Sequence, residues 1–289
     1  MTLTLPAVAK INLSLRVLGK REDGFHEIRT VFQAIDLADH IRLERGGRGV
    51  SLAVEGADLG PEHENLAYRA AEDFLRASGE SRGVRIELVK RIPAGAGLGG
   101  GSSDAAAVLR CLAASSRVPP RRLADLASAL GSDVPFFLCA SPLAHAEGRG
   151  EILRELPPLP EAHMVLALPP VHVNTAEAYR VLGRGASAGV AAPMDEATAP
   201  GDWAEVAATL HNDFEDEVAG RHEEIARSLA ALRSEGARGA LMSGSGAASF
   251  GIFGSAADAA RVASRLEGRL GWSFVPVRTL TRMPEPRTL

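Results

Sequence analysis

The stretch Pro93-Ala-Gly-Ala-Gly-Leu-Gly-Gly-Gly-Ser-Ser-Asp104 restricts the fold of this chain more than any other segment. Five glycines among the seven residues 95–101 permit left-handed backbone and let the main chain approach a ligand with no Cβ in between. Upstream, Val84, Ile86 and Leu88 alternate with wetter residues and predict a strand over 84–92; downstream, small apolar residues predict a helix over 102–114. A glycine-rich bend from strand into helix aims unpaired N–H groups and the positive end of the helix dipole at one point. Residues 93–103 therefore read as a phosphate site. A plain turn would need neither five glycines nor Ser102 and Ser103 to cap the helix.

Two familiar phosphate motifs fit poorly. Gly95, Gly97 and Gly100 match G-x-G-x-x-G, but the position about 20 residues on falls in 119–122, with no carboxylate on a following strand to take a ribose. Gly101-Ser102-Ser103 lacks the lysine of the G-K-[ST] loop. If the ligand is a nucleoside triphosphate, charge stabilisation and a proton acceptor must come from elsewhere. Lys10 and Asp133 are the candidates. Lysine occurs only at Lys10, Lys20 and Lys90 among 32 basic residues, and Lys10 interrupts an apolar strand. Asp133 lies in Gly131-Ser-Asp-Val-Pro-Phe136, where a helix gives way to an apolar segment. Taken singly, Lys10 is equally a gatekeeper on an edge strand and Asp133 equally a helix cap.

Before the loop the pattern predicts short strands at 3–8, 12–18, 29–35, 40–44 and 50–55, and a helix over 65–77 that Asn65 caps. After it come helices over 102–114 and 119–130, then a buried strand at 164–168. Residues 183–202, rich in Gly, Ala, Pro and Ser, read as a mobile surface excursion. Helices over 204–217 and 223–234 precede a tail of strands at 239–242, 248–253 and 273–277 with a helix over 256–266, a βαβ-type order. The expected architecture is α+β in two lobes, 1–158 and 159–289, each a mainly antiparallel sheet with helices packed on it. No internal repeat is visible.

Composition excludes several classes of function. A net charge of −4 and a pI near 6.1 argue against nucleic acid, whose binding requires a basic face. No run of about 18 apolar residues is present, and residues 1–13 lack the basic start of a signal peptide, so no membrane role and a cytoplasmic place are expected. Cys111 and Cys139, the two cysteines, have no ligand partners at metal spacing and read as reduced thiols. No acidic residue of the motifs is an obvious magnesium ligand.

Together with Met242-Ser-Gly-Ser-Gly-Ala247 near the C-terminus, the Lys10 segment and the glycine-serine loop resemble the three motifs of the superfamily of galactokinase, homoserine kinase, mevalonate kinase and phosphomevalonate kinase. Ala7-Val-Ala-Lys-Ile-Asn-Leu13, Asp23-Gly-Phe-His-Glu-Ile28, residues 131–136 and Asn212-Asp-Phe-Glu215 resemble those members, in isoprenoid biosynthesis, whose acceptor carries a cytidine diphosphate group. The resemblance implies ATP with Mg2+, phosphates over Pro93, Ala94, Gly95, Ala96, Gly97, Leu98, Gly99, Gly100, Gly101, Ser102 and Ser103, and the adenine near Asn65. It implies Asp133 as base and Lys10 as the cation that stabilises developing charge. The cytidine would be read by His26 and gripped between Phe25 and Tyr179, with Asn12 and Thr175 as polar contacts, in a monomer or weak homodimer. A sister kinase for homoserine, mevalonate or a sugar would share the loop and Asp133 but not need the base clamp. A non-catalytic nucleotide sensor would need neither Lys10 nor Asp133.

Overall fold

A computed structural model describes residues 2–183 and 200–289. The excursion expected at 183–202 lies almost wholly outside them. Two long strands, β1 (Thr2–Lys20) and β2 (His26–Arg45), pair antiparallel and form the spine of an eight-stranded sheet. Each was expected as two shorter strands. Register shifts between Val8 and Ala9, Asn12 and Ser14, and Val17 and Gly19 break the two-residue alternation while the ladder continues, which accounts for the difference.

The sheet grows outward from this pair. β3 (Val50–Glu55), α1 (Leu66–Ser78) and β4 (Val84–Val89) follow, with β4 antiparallel to β2 and β3 parallel to β4. Asn65 caps α1 by accepting from the Ala67 N–H at 2.9 Å, as its position suggested. Then come α2 (Gly100–Ala113), α3 (Pro120–Leu130) and a hairpin of β5 (Leu143–Glu147) and β6 (Ile152–Glu155) joined to β2. The small residues of α2 let it lie close on β1 and α1, where Ala105, Ala106, Val108 and Leu109 pack with Phe74, Ile86 and Leu5.

The second half builds a four-stranded antiparallel sheet. β7 (His163–Leu168) is followed by α4 (Thr175–Leu182), α5 (Trp203–Thr209), a two-residue bridge β8 (His211–Asn212), α6 (Glu215–Ala219) and α7 (Glu223–Ser234). β9 (Ala240–Met242), β10 (Ser249–Phe253), α8 (Ala256–Leu270) and β11 (Ser273–Arg278) complete it in the order β11-β7-β10-β9. Because β7 lies between β10 and β11, α8 is a crossover between two strands that do not pair. The single helix expected at 204–217 is broken at Asn212, whose side chain bonds backbone groups elsewhere and so competes with the helix.

The two sheets are interlocked. Ala9, Ile11 and Leu13 of β1 share a core with Met164 and Leu166 of β7 and Phe250 and Ile252 of β10. β8 pairs with β1, and so does β12 (Arg287–Thr288), so segments of the second half return to the first sheet.

Candidate active site

Lys10 is no edge gatekeeper. It faces Ala34 on β2, its own N–H donates to the Leu98 carbonyl of the glycine loop at 3.0 Å, and it is 4 % exposed. Its Nζ donates to Asn12 Oδ1 at 2.8 Å, stands 3.4 Å from Asp133 Oδ2 and lies 5.0 Å from the Phe32 ring centre. Asn12 is held in turn by donating to Thr30 Oγ1 at 2.7 Å. Asp133 follows α3, and no side chain caps the turn Pro135–Leu138 behind it, so its carboxylate serves the ion pair and not a helix.

The glycine loop takes the left-handed backbone its composition permits, with Gly95, Gly97 and Gly99 at positive φ. Gly99 takes φ +71° and starts α2 without any side-chain cap, which leaves the first-turn N–H groups available to an anion. The helix begins at Gly100, two residues earlier than expected, and this changes the roles of the serines. Ser102 lines the cavity beside the loop, but Ser103 is turned into the core, lines neither cavity and donates its N–H to the Gly99 carbonyl. The loop is braced by the third motif: Ser243 Oγ donates to the Gly97 carbonyl at 3.0 Å, and Ala248 N–H to the Ala96 carbonyl at 3.1 Å.

Two cavities meet at Gly97 and Gly99. One, of about 400 Å³, runs along residues 93–102 and includes Asn65. The other, of about 850 Å³, is bounded by Lys10, Asp133, Asn12, His26, Thr175 and Tyr179, with Phe25 also on its wall. All the site residues expected from sequence except Ser103 therefore line one cavity or the other. Thr175 Oγ1 lies 2.9 Å from Ser245 Oγ of the third motif.

Phe25 and Tyr179 both line the larger cavity. His26 stacks on Tyr179, with ring centres 4.5 Å apart and 16° between planes, and Phe214 meets Tyr179 edge-on at 4.8 Å. Phe25 is 51 % exposed and lies against the Arg149 guanidinium, 4.7 Å from its ring centre. Burial, and the nearby Lys20 ammonium, hold the His26 imidazole below its ordinary pKa. Burial and the Asp133 carboxylate push the Tyr179 phenol up to about 12.

A buried charge cluster was not expected. Lys90, at the end of β4, pairs with Asp39 and, at 2.7 Å, with Asp104 of α2. Asp39 also accepts from the N–H groups of Arg91 and Ile92, so the cluster ties the approach to the glycine loop to α2. Lys90 and Asp104 line the smaller cavity, and Asp104 Oδ1 is buried without a hydrogen-bond partner. Burial pushes the Asp104 carboxyl up to about 7, against the attraction of Lys90. Among the described residues no group of three or more His, Cys, Asp or Glu side chains could hold a metal ion.

The family models for the GHMP kinases N terminal domain and GHMP kinases C terminal match residues 65–141 and 194–270. A 4-diphosphocytidyl-2-C-methyl-D-erythritol kinase of Pelotomaculum thermopropionicum is 46% identical over 92% of this chain and 94% of its own. The crystal structure of a 4-(cytidine 5'-diphospho)-2C-methyl-D-erythritol kinase superposes with a TM-score of 0.78 at 40% identity, covering 96% of this chain and 98% of that one. Homoserine kinase from Cytophaga hutchinsonii shares the fold, with a TM-score of 0.72 at 17% identity over 100% of this chain and 97% of its own.

Proposed function

The chain belongs to the GHMP kinases, and within them to the 4-diphosphocytidyl-2-C-methyl-D-erythritol kinases, and from this we propose how its residues divide the work. The enzyme transfers the γ-phosphoryl group of ATP to a hydroxyl of the diphosphocytidyl acceptor, a step of isoprenoid biosynthesis. ATP occupies the smaller cavity, its phosphates on the first-turn N–H groups of α2 and its base toward Asn65. The acceptor fills the larger cavity with its 2-hydroxyl at the junction of the two.

The observation that carries this assignment is the Lys10–Asp133 pair, 3.4 Å apart where the two cavities share the wall of Gly97 and Gly99. Asp133 takes the hydroxyl proton as the acceptor oxygen attacks the γ-phosphorus and the bond to ADP breaks. Lys10, fixed by Asn12, stabilises the negative charge on the transferring group. A neutral His26, stacked on Tyr179, can exchange hydrogen bonds with the pyrimidine edge, and Thr175 adds a polar contact. Phe25 forms a separate aromatic platform on the same cavity.

Among the described residues no three His, Cys, Asp or Glu side chains gather to hold a metal ion, so Mg2+ would enter with ATP as its counter-ion. One chain supplies every group named, which supports activity as a monomer. No described helix is long and apolar enough to cross a membrane, and Cys111 and Cys139 are free, which supports a place in the cytoplasm. A coupled assay of ADP release with the diphosphocytidyl acceptor, mevalonate and homoserine tests the acceptor. Turnover is expected with the first alone; preference for either of the others would overturn the assignment.

A further inference from the structure

The larger cavity has more cations than the phosphoryl transfer requires. Among the described residues, its wall carries Lys20, Arg149 and Arg180 besides Lys10, against the single carboxylate of Asp133. Lys10 is taken up by Asn12 and Asp133, and Arg180, on the exposed surface of α4, pairs with Glu177. Arg149 is placed differently. It sits in the turn between β5 and β6, and that turn is bolted to the start of β2: Ile28 N–H donates to the Gly148 carbonyl at 2.7 Å, and Gly148 N–H to Glu27 Oε1 at 3.1 Å. A Cβ on the next residue, Gly150, would lie 3.7 Å from Asp133 Oδ1, so the turn reaches the proton acceptor itself.

The guanidinium is also oriented. Its Cζ lies over the Phe25 ring, Nε is 3.5 Å from Glu151 Oε1, and the Arg149 N–H donates to Glu151 Oε2 at 2.6 Å. Among the described residues its two Nη groups have no protein acceptor, and the side chain is 28 % exposed at the cavity wall. A planar fork of donors that is partly desolvated, held at Nε by Glu151 and left with both Nη groups unpaired, matches a phosphate oxygen pair.

Resting on the acceptor assignment above, we propose that Arg149 is the specificity residue that binds the diphosphate of the acceptor, while its face holds Phe25 in place beside the nucleoside. Charge reading and platform building are thereby joined in one side chain. Lys20, the exposed cation on the same wall, adds long-range attraction without fixed geometry.

Titration of CDP, CMP and cytidine into the wild type, Arg149→Met and Arg149→Lys separates the possibilities. Arg149→Met keeps the apolar contact with Phe25 and should weaken CDP by about 10- to 100-fold, the loss of a charge-assisted contact, while changing cytidine less than threefold. Arg149→Lys should recover part of the CDP loss. In turnover, Arg149→Met should raise KM for the acceptor by a similar factor, with kcat and the KM for ATP near wild type. Equal CDP binding by wild type and Arg149→Met overturns the proposal. So does an equal loss of CDP and cytidine, which would leave Arg149 as a prop for Phe25. A fall in kcat with CDP affinity intact would assign it to the turn beside Asp133 and also overturn it. Wild type that fails to bind CDP at all would instead remove the acceptor assignment on which the proposal rests.

Discussion

Asp133 and Asp104 are carboxylates with opposite tasks, and their surroundings say why. Asp133 is partly open to the larger cavity and touches one cation, which suits a group that must exchange a proton with a substrate. Asp133→Asn keeps the shape and loses the acceptor, so kcat should fall by about 10² to 10⁴-fold while the KM for ATP stays within twofold, measured by steady-state kinetics. Asp104 is buried and shares the single Lys90 ammonium with Asp39. Burial lowers the Lys90 pKa, but the two carboxylates outweigh it and keep the lysine charged, so the surplus negative charge is relieved by a proton on Asp104. Its folded pKa near 7 lies above the ordinary 3.8, so the folded state holds this proton more tightly than the unfolded one. Stability from this group is therefore present at low pH and is lost as pH rises from about 4 to about 7. The charge that appears also faces the nucleotide cavity. The KM for ATP should rise between pH 6 and 8 in the wild type and flatten in Asp104→Asn, and the urea midpoint of the variant should gain on the wild type between about pH 4 and 7. Parallel pH profiles for the two proteins would show that Asp104 stays ionised. The sequence held a clue to this cluster. Lys10, Lys20 and Lys90 are the only lysines, and all three line the two cavities, although only Lys10 stood out in an apolar strand.

Among the elements, the glycine loop was the most legible, because its chemistry is local: a strand, a run of glycines and a helix start are all read from neighbouring residues. Gly99 at φ +71° has Lys10 Cγ and Phe137 Cζ each 3.1 Å from where a Cβ would stand. Gly99→Val should therefore abolish ATP binding, since a β-branched residue resists positive φ and pushes the loop off Lys10. Calorimetry with ATP, alongside an unchanged far-UV spectrum, checks it; affinity within twofold of wild type would mean the phosphates lie elsewhere. The less legible elements owe their form to distant partners. The bulges in β1 place Lys10 and Asn12 in the site at the expense of the alternation that marks a strand. β5, buried along nearly its whole length, lacks alternation for the same reason. The turn that carries Arg149, Gly148-Arg-Gly150, was not read from the sequence, and its relation to Phe25 depends on the pairing of β2 with β5 across more than a hundred residues. The same holds for His26 and Tyr179, whose stacking joins the start of β2 to α4 across about 150 residues.

At the scale of the molecule, catalysis requires the first sheet, which holds Lys10 and the loop, to stay in register with the second, which holds the third motif. The shared core of Ile11, Met164 and Phe250 supplies adhesion without direction. Direction comes from Asn212. It pairs with β1 through its backbone, while its Nδ2 donates to the carbonyls of Met242 at 2.7 Å and Gly244 at 2.8 Å and its Oδ1 accepts from Phe214 N–H at 2.9 Å. From there Ser243 reaches Gly97, so one buried amide links β1, the third motif and the glycine loop. Asn212→Ala leaves three buried backbone groups unpaired and should cost about 2–4 kcal/mol in urea unfolding. It should also raise the KM for both substrates, since the wall between the two cavities loses its support. Val262→Ala, in the helical core behind the second sheet, provides the control: it should lower stability by creating a cavity and leave turnover at wild type. If Asn212→Ala weakens only stability, as Val262→Ala should, then the packed core alone holds the sheets in register and the amide adds nothing to the geometry of the site.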